Sequence, residues 1–127
     1  KPGHCIQCGT SKIAYQLRHS ASGHVYLAYS DSQQCAKVGY SQAYPDERVA
    51  FLRRENYGTA SDWELKDTAH LERHAGQLEF AIHALLEQYR KPVTYEKYPG
   101  VFVECREIFS CLPHVAMAAF KKALRAN

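Results

Sequence analysis

Apolar and polar positions along the chain change their period several times, and each change marks an element. His24-Val25-Tyr26-Leu27-Ala28-Tyr29 is rich in β-branched and aromatic residues, Ser30 to Gln34 is turn-like, and Cys35-Ala36-Lys37-Val38-Gly39-Tyr40 is extended again. Two such runs around a short polar connection predict a β-hairpin. Pro45, followed by the acids Asp46 and Glu47, suits the first turn of a helix whose inner face carries Val49, Leu52 and Tyr57, and Gly58 ends it. Asp62 to Lys66, around Trp63, predicts a third strand. Leu71, Ala75, Leu78, Ile82, Leu85 and Tyr89 fall at steps of three and four, which predicts an amphipathic helix from Thr68 to Arg90 stopped by Pro92. A tyrosine-rich loop with Pro99-Gly100 then leads to one late extended segment, Val101-Phe102-Val103 to Ile108-Phe109. Behind Pro113, the residues Val115, Ala118, Ala119 and Leu124 predict a closing helix.

Residues 1–22 are polar and irregular and form an expected appendage; residues 23–127 form the expected domain. The order of elements predicts an α+β fold, a small antiparallel β-sheet flanked by helices. Composition narrows the class further. At 127 residues, with 46% hydrophobic and 23% charged positions, the chain suits one packed core and excludes disorder, collagen and coiled coil. No apolar run reaches the roughly 20 residues that span a bilayer, so no membrane partner is expected. A net charge of +3 and a pI of 8.6 permit an anionic partner without demanding one. The five cysteines are odd in number and mostly far apart, which points to reduced thiols and a cytoplasmic site of action. The chain begins at Lys1 and has Met117 as its one methionine, as expected of a trimmed chain or of the C-terminal domain of a longer one.

The layout throws together a phenol, two cations and a carboxylate. Tyr26 and Lys37 lie on adjacent strands, Arg48 on the following helix, and Glu79 and His83 one turn apart at the edge of the apolar stripe of the long helix. Phosphodiester hydrolysis needs such a set: a group to activate water, cations to hold phosphate, and a carboxylate to hold a divalent metal. A carboxylate among apolar positions would otherwise carry a burial cost, and Mg²⁺ or Mn²⁺ prefers oxygen ligands. Each residue also has a plainer reading: Tyr26 as a core phenol, Lys37 and Arg48 as surface charges, Glu79 as an exposed helix acid, and His83 as a structural histidine.

These residues, in this order, resemble the GIY-YIG endonuclease superfamily over Gly23 to Phe109. His24-Val25-Tyr26 stands where the first short motif falls, with His24 in place of its glycine. Lys37-Val38-Gly39 stands where the second falls, with lysine in place of tyrosine, as in a phage-associated and restriction-like branch. Arg48 matches the arginine of the first helix, Leu78-Glu79 with His83 and Arg90 matches the later helix, and Glu107-Ile108-Phe109 matches a late Glu-aromatic-Phe signature. The resemblance implies a metal-dependent endonuclease acting on DNA, with Tyr26 taking the proton of the attacking water beside Lys37. It further implies Arg48 on phosphate, Glu79 on Mg²⁺ or Mn²⁺, and Glu107 in a supporting place. A phenol ordinarily ionises near pH 10, so such a role requires a neighbouring cation. Tyr40 either bonds a reacting oxygen or packs. Arg53 and Arg54 compete with Arg48 as the phosphate ligand.

Three classes of function are therefore expected in order: an endonuclease, a non-catalytic DNA-binding or adaptor module, and a zinc-dependent interaction domain. The last rests on Cys5-x-x-Cys8, half of a structural Zn²⁺ site that Cys105 and Cys111, with His4 or His114 as substitutes, would complete; free thiols are the alternative. A nuclease of this size suits a restriction or mobile-element enzyme, or the toxic C-terminal domain of a larger bacterial protein delivered from another cell. In the toxin case an inhibitor or immunity protein is the expected partner beside DNA.

Overall fold

The computed structural model of the chain describes residues 22–126. The expected appendage, with His4, Cys5 and Cys8, lies outside the described residues.

The hairpin forms as its pattern predicts, from β1 (Gly23–Ser30) and β2 (Cys35–Ser41), with Tyr26 opposite Gly39 and Ala28 opposite Lys37. Asp62 clasps the connection between the two strands. Ser30 donates its hydroxyl to Asp62 Oδ1 at 2.6 Å, while Ser32 donates its backbone N–H to Oδ2 at 2.8 Å and its hydroxyl to Oδ1 at 3.0 Å. Helix α1 (Pro45–Arg54) follows, one turn shorter than its apolar pattern suggests. Asn56 takes up a left-handed conformation with φ 53°, which ends the helix and sets Tyr57 in a separate 3₁₀ turn, Tyr57–Thr59.

Strand β3 (Glu64–Leu71) is longer than the expected 62–66 and pairs antiparallel with the outer edge of β1, from Tyr29↔Glu64 to Gly23↔Leu71. This corrects the start of the long helix. Residues 68–71 belong to the strand, because they complete the hydrogen-bonded edge of β1, and α2 (Ala75–Leu85) begins only after His74, which has φ 66°. Leu71 and Ala75 are four residues apart by coincidence of a period-2 run meeting a period-3.6 run. At the far end Leu86 is buried and Leu85 is exposed, and a 3₁₀ turn, Glu87–Tyr89, closes the segment.

The tyrosine-rich loop is instead strand β4 (Val93–Tyr98), which pairs with β5 (Val101–Cys105) in a separate two-stranded sheet. Pro99-Gly100 is its tight turn, with Gly100 at φ 80°. The late extended segment is thus two strands: β5 in this ribbon, and β6 (Ile108–Ser110), which pairs with β2. The main sheet has the order β3-β1-β2-β6 and is antiparallel throughout. Helix α3 (Pro113–Ala126) closes the chain on Ala116, Phe120 and Ala123; Ala118 and Leu124, expected on its inner face, are exposed.

Both faces of the central hairpin are covered, which explains why β1 is a nearly unbroken apolar run. Val25, Leu27, Tyr29, Ala36 and Val38 pack against Leu78 and Ile82 of α2 and Phe120 of α3. Tyr26, Ala28 and Cys35 pack on the opposite face against Val49 and Leu52 of α1, with Trp63, Cys105 and Ile108. Among the described residues no helix is long and apolar enough to cross a membrane.

Candidate active site

Strand β6 begins at Ile108, opposite Lys37, so among the described residues no strand pairs with this edge of β2 from Val38 onward. Side chains from both faces of the sheet meet at this edge. Glu107, one residue before β6, stands in the middle.

From the α1 side comes Lys37, buried, with its Nζ 2.8 Å from Glu107 Oε1. Its ammonium also lies 4.8 Å from the ring centroid of Tyr57 and 6.0 Å from that of Tyr26. Burial alone would lower the Lys37 pKa, but the Glu107 carboxylate, with Tyr26 and Tyr57 beside it, raises it above the ordinary lysine value. Lys37 therefore stays cationic. Burial pushes the Tyr57 hydroxyl up, and that hydroxyl is held on the Cys105 sulfur, which fixes the ring beneath the ammonium.

From the α2 side come Glu79 and His83, one turn apart, with His83 Nε2 3.9 Å from Glu79 Oε2. His83 Nε2 lies 2.9 Å from the Val38 carbonyl oxygen. A carbonyl can only accept, so Nε2 carries the proton and the neutral ring keeps its lone pair on Nδ1. Burial lowers the His83 pKa, which favours this neutral form. Ligand atoms of Glu79, His83 and Glu107 all lie within 4.8 Å of one another. Two carboxylates, with Glu79 buried, fit a divalent cation such as Mg²⁺ or Mn²⁺, and the imidazole would join them only through Nδ1, the nitrogen left unprotonated.

Tyr26, Lys37, Glu79 and His83 thus gather about one place, with Glu107 joining them. Glu107 is more central than its sequence suggests, since it bonds the ammonium and lies within 4.8 Å of the acid-imidazole pair. Gly39 is a residue whose part was missed. A Cβ there would stand 2.5 Å from the Tyr26 hydroxyl, so the missing side chain makes room for the phenol to lie across β2. The signal was present in the hairpin register, which places Tyr26 opposite Gly39. Tyr57 was read as a helix-face residue, and nothing in its spacing marks it as the floor beneath Lys37.

Tyr40 lies on the other face of the sheet from Tyr26. It donates its hydroxyl to the Ser22 carbonyl at 2.6 Å and covers Gly23, which matches its packing alternative. Arg48 is exposed on α1, on the Tyr26 side of the sheet, with its guanidinium 5.0 Å from the Phe51 ring; Arg54 approaches the same ring at 5.8 Å. Arg53 donates to the Trp63 carbonyl at 2.8 Å and is occupied in the fold. A further guanidinium stands nearer the cluster. Arg90 lies 5.0 Å from the Phe109 ring, which itself packs 5.3 Å from the His83 ring, and Arg90 also bonds Glu87 and the Arg106 carbonyl.

Cys35, Cys105 and Cys111 are free thiols. Cys105 packs with Trp63 and Ile108, whereas Cys111 packs with the layer on the other face of the sheet. His114 is exposed at the start of α3.

The family model described as the T5orf172 domain matches residues 23–124. No curated protein and no solved structure matches the chain.

Proposed function

The chain belongs to the T5orf172 domain family, and from that premise we propose that it is a divalent-metal-dependent endonuclease hydrolysing phosphodiester bonds in DNA. The family's association with phage and with nuclease-type modules supports this reading. The observation that carries it is the meeting of Lys37, Glu107, Glu79 and His83 at the edge of β2, beside Tyr26. A buried ammonium and two carboxylates are expensive to assemble for packing alone.

Glu79, His83 and Glu107 would hold Mg²⁺ or Mn²⁺, which when bound supplies Lewis-acid stabilisation of charge on phosphoryl oxygens. Tyr26 is the group that takes the proton of the attacking water. Lys37, kept cationic by Glu107, places positive charge beside that phenol and beside the phosphate. Arg48 and Arg90 are the guanidinium groups available to grip phosphate, with a planar fork that lysine lacks.

A non-catalytic DNA-binding module is the second reading, favoured by the exposure of Arg48, whose guanidinium lies over the Phe51 ring, while Tyr26, Lys37 and Glu79 are buried. Supercoiled plasmid incubated with the protein and Mg²⁺ or Mn²⁺, with and without EDTA, separates the two. The nuclease reading expects nicked and linear DNA that EDTA abolishes and that Tyr26→Phe loses while still binding DNA. Plasmid that stays intact under all divalent ions, yet is retarded on a gel, supports the binding module instead.

A further inference from the structure

Apart from the cluster, the described surface holds a cleft of about 420 Å³ lined by His24, Gln42, Tyr44 and His70. His24 and His70 are paired across β1 and β3, so they share the sheet face that carries Tyr26. Their rings lie 4.7 Å apart, and the Tyr44 ring lies 5.8 Å from His24. Tyr44 is 69% exposed at the head of α1, an expensive place for an aromatic ring that packs against nothing in the core.

We propose that this cleft is a nucleotide subsite, which takes the nucleotide two positions from the scissile phosphate along one DNA strand. The proposal rests on the nuclease reading for its substrate. Two residues of a strand advance about 6.8 Å from Tyr26 to His24, which is also about the axial rise of two nucleotides in one strand of B-form DNA. The second nucleotide from that phosphate therefore arrives over the imidazoles. Their ring N–H groups donate to phosphate oxygens, the Gln42 amide both donates and accepts at a base edge, and the Tyr44 ring offers a face for a base displaced from the duplex stack. A second groove beside Ala43 runs along α1 past Glu47 to Arg48, Phe51 and Arg54, so the backbone beyond the cleft meets two guanidinium groups and one carboxylate.

The test is fluorescence anisotropy of the full chain with a labelled 16-base-pair DNA duplex in EDTA, followed by plasmid nicking with Mn²⁺, for wild type, Tyr44→Ala and His24→Gln/His70→Gln. Circular dichroism confirms that each variant is folded. The subsite predicts that Tyr44→Ala raises Kd by about 5-fold or more, the effect of losing one stacked base. It also predicts that the double histidine variant weakens binding, and that both variants need more DNA than the wild type to reach half of their maximal nicking rate. Folded variants that bind DNA as wild type does overturn the subsite, even if the wild type cleaves. Tight Zn²⁺ binding that the histidine variant loses, with DNA affinity unchanged, overturns it in favour of a metal chelate. Wild type that binds DNA with the predicted variant losses but never cleaves leaves the subsite standing and sinks the nuclease reading, whereas wild type that binds no DNA overturns both.

Discussion

An ammonium withdrawn from water is tolerated only if a counter-charge goes with it, and for Lys37 that counter-charge is Glu107 at 2.8 Å. Glu107→Gln therefore leaves a buried cation without its carboxylate, and the expected loss of stability is about 3 kcal/mol, the low end for a broken buried pair because Glu107 keeps some contact with solvent. Urea denaturation measures it. Adding Lys37→Met to that variant should return most of the loss, since an apolar side chain no longer needs a partner; a double variant no more stable than the single one contradicts the pair. Gly39 tests the other side of the cluster. A Cβ 2.5 Å from the Tyr26 hydroxyl must displace the phenol, so Gly39→Ala should cost about 1–3 kcal/mol and lower nicking more than Tyr40→Phe does. Equal activity in the two variants would show that the position of Tyr26 does not matter. Much of this was legible in the sequence: Tyr26, Lys37, Glu79 and His83 were picked from their residue types and spacing. The central place of Glu107 was not, because it depends on β6 beginning opposite Lys37, a long-range register that no local pattern encodes.

At the scale of elements, the β1–β2 hairpin and α1 followed from local pattern, while the segment from residue 64 to residue 110 did not. Leu71 and Ala75 extend a helical spacing backward into a strand, and only the pairing of 64–71 with β1 decides between them. Likewise, the tyrosines and prolines of 92–100 look like a loop until β5 supplies the partner that makes β4 a strand. The Asp62 clasp is the clearest element-scale device in the fold. Hydrogen bonds from the Ser30 hydroxyl and from the Ser32 backbone and hydroxyl hold the Asp62 carboxyl below its ordinary value of 3.8. A lowered folded-state pKa means that the unfolded chain binds the proton first, so this contribution is fully present above pH 3.8 and is lost as pH falls through the folded value. Urea midpoints of wild type and Asp62→Asn, followed from pH 7 to pH 2, should differ by a constant amount down to about pH 4 and converge below it. A difference that persists undiminished at pH 2 would mean that the clasp does not depend on the carboxylate charge.

For the whole molecule, the arrangement that matters is a central hairpin buried on both faces, whose β2 strand runs past the point where β6 pairs with it. Helix α2 brings Glu79 and His83 from one face, the hairpin brings Lys37 and Tyr26 from the other, and Glu107 joins them just before β6 begins. The α+β class and the covering helices were predictable from the order of elements; the two-faced covering and the separate β4–β5 ribbon were not, because they are set by which strand edges find partners. The cleft at His24 and Tyr44 lies on the sheet face that carries Tyr26 and Lys37, so the proposed DNA path meets the cluster from the hairpin side. The central claim is that Glu79 serves a divalent cation in phosphodiester hydrolysis. It is tested most directly by the nicking rate of Glu79→Gln on supercoiled plasmid at saturating DNA and Mn²⁺, with the fold checked by circular dichroism. The amide keeps the size of the side chain and removes its charge, and loss of such a contact costs on the order of 10²–10³ in rate or more. The account predicts a folded variant that binds DNA and does not measurably nick it; a folded Glu79→Gln that nicks plasmid at the wild-type rate contradicts it.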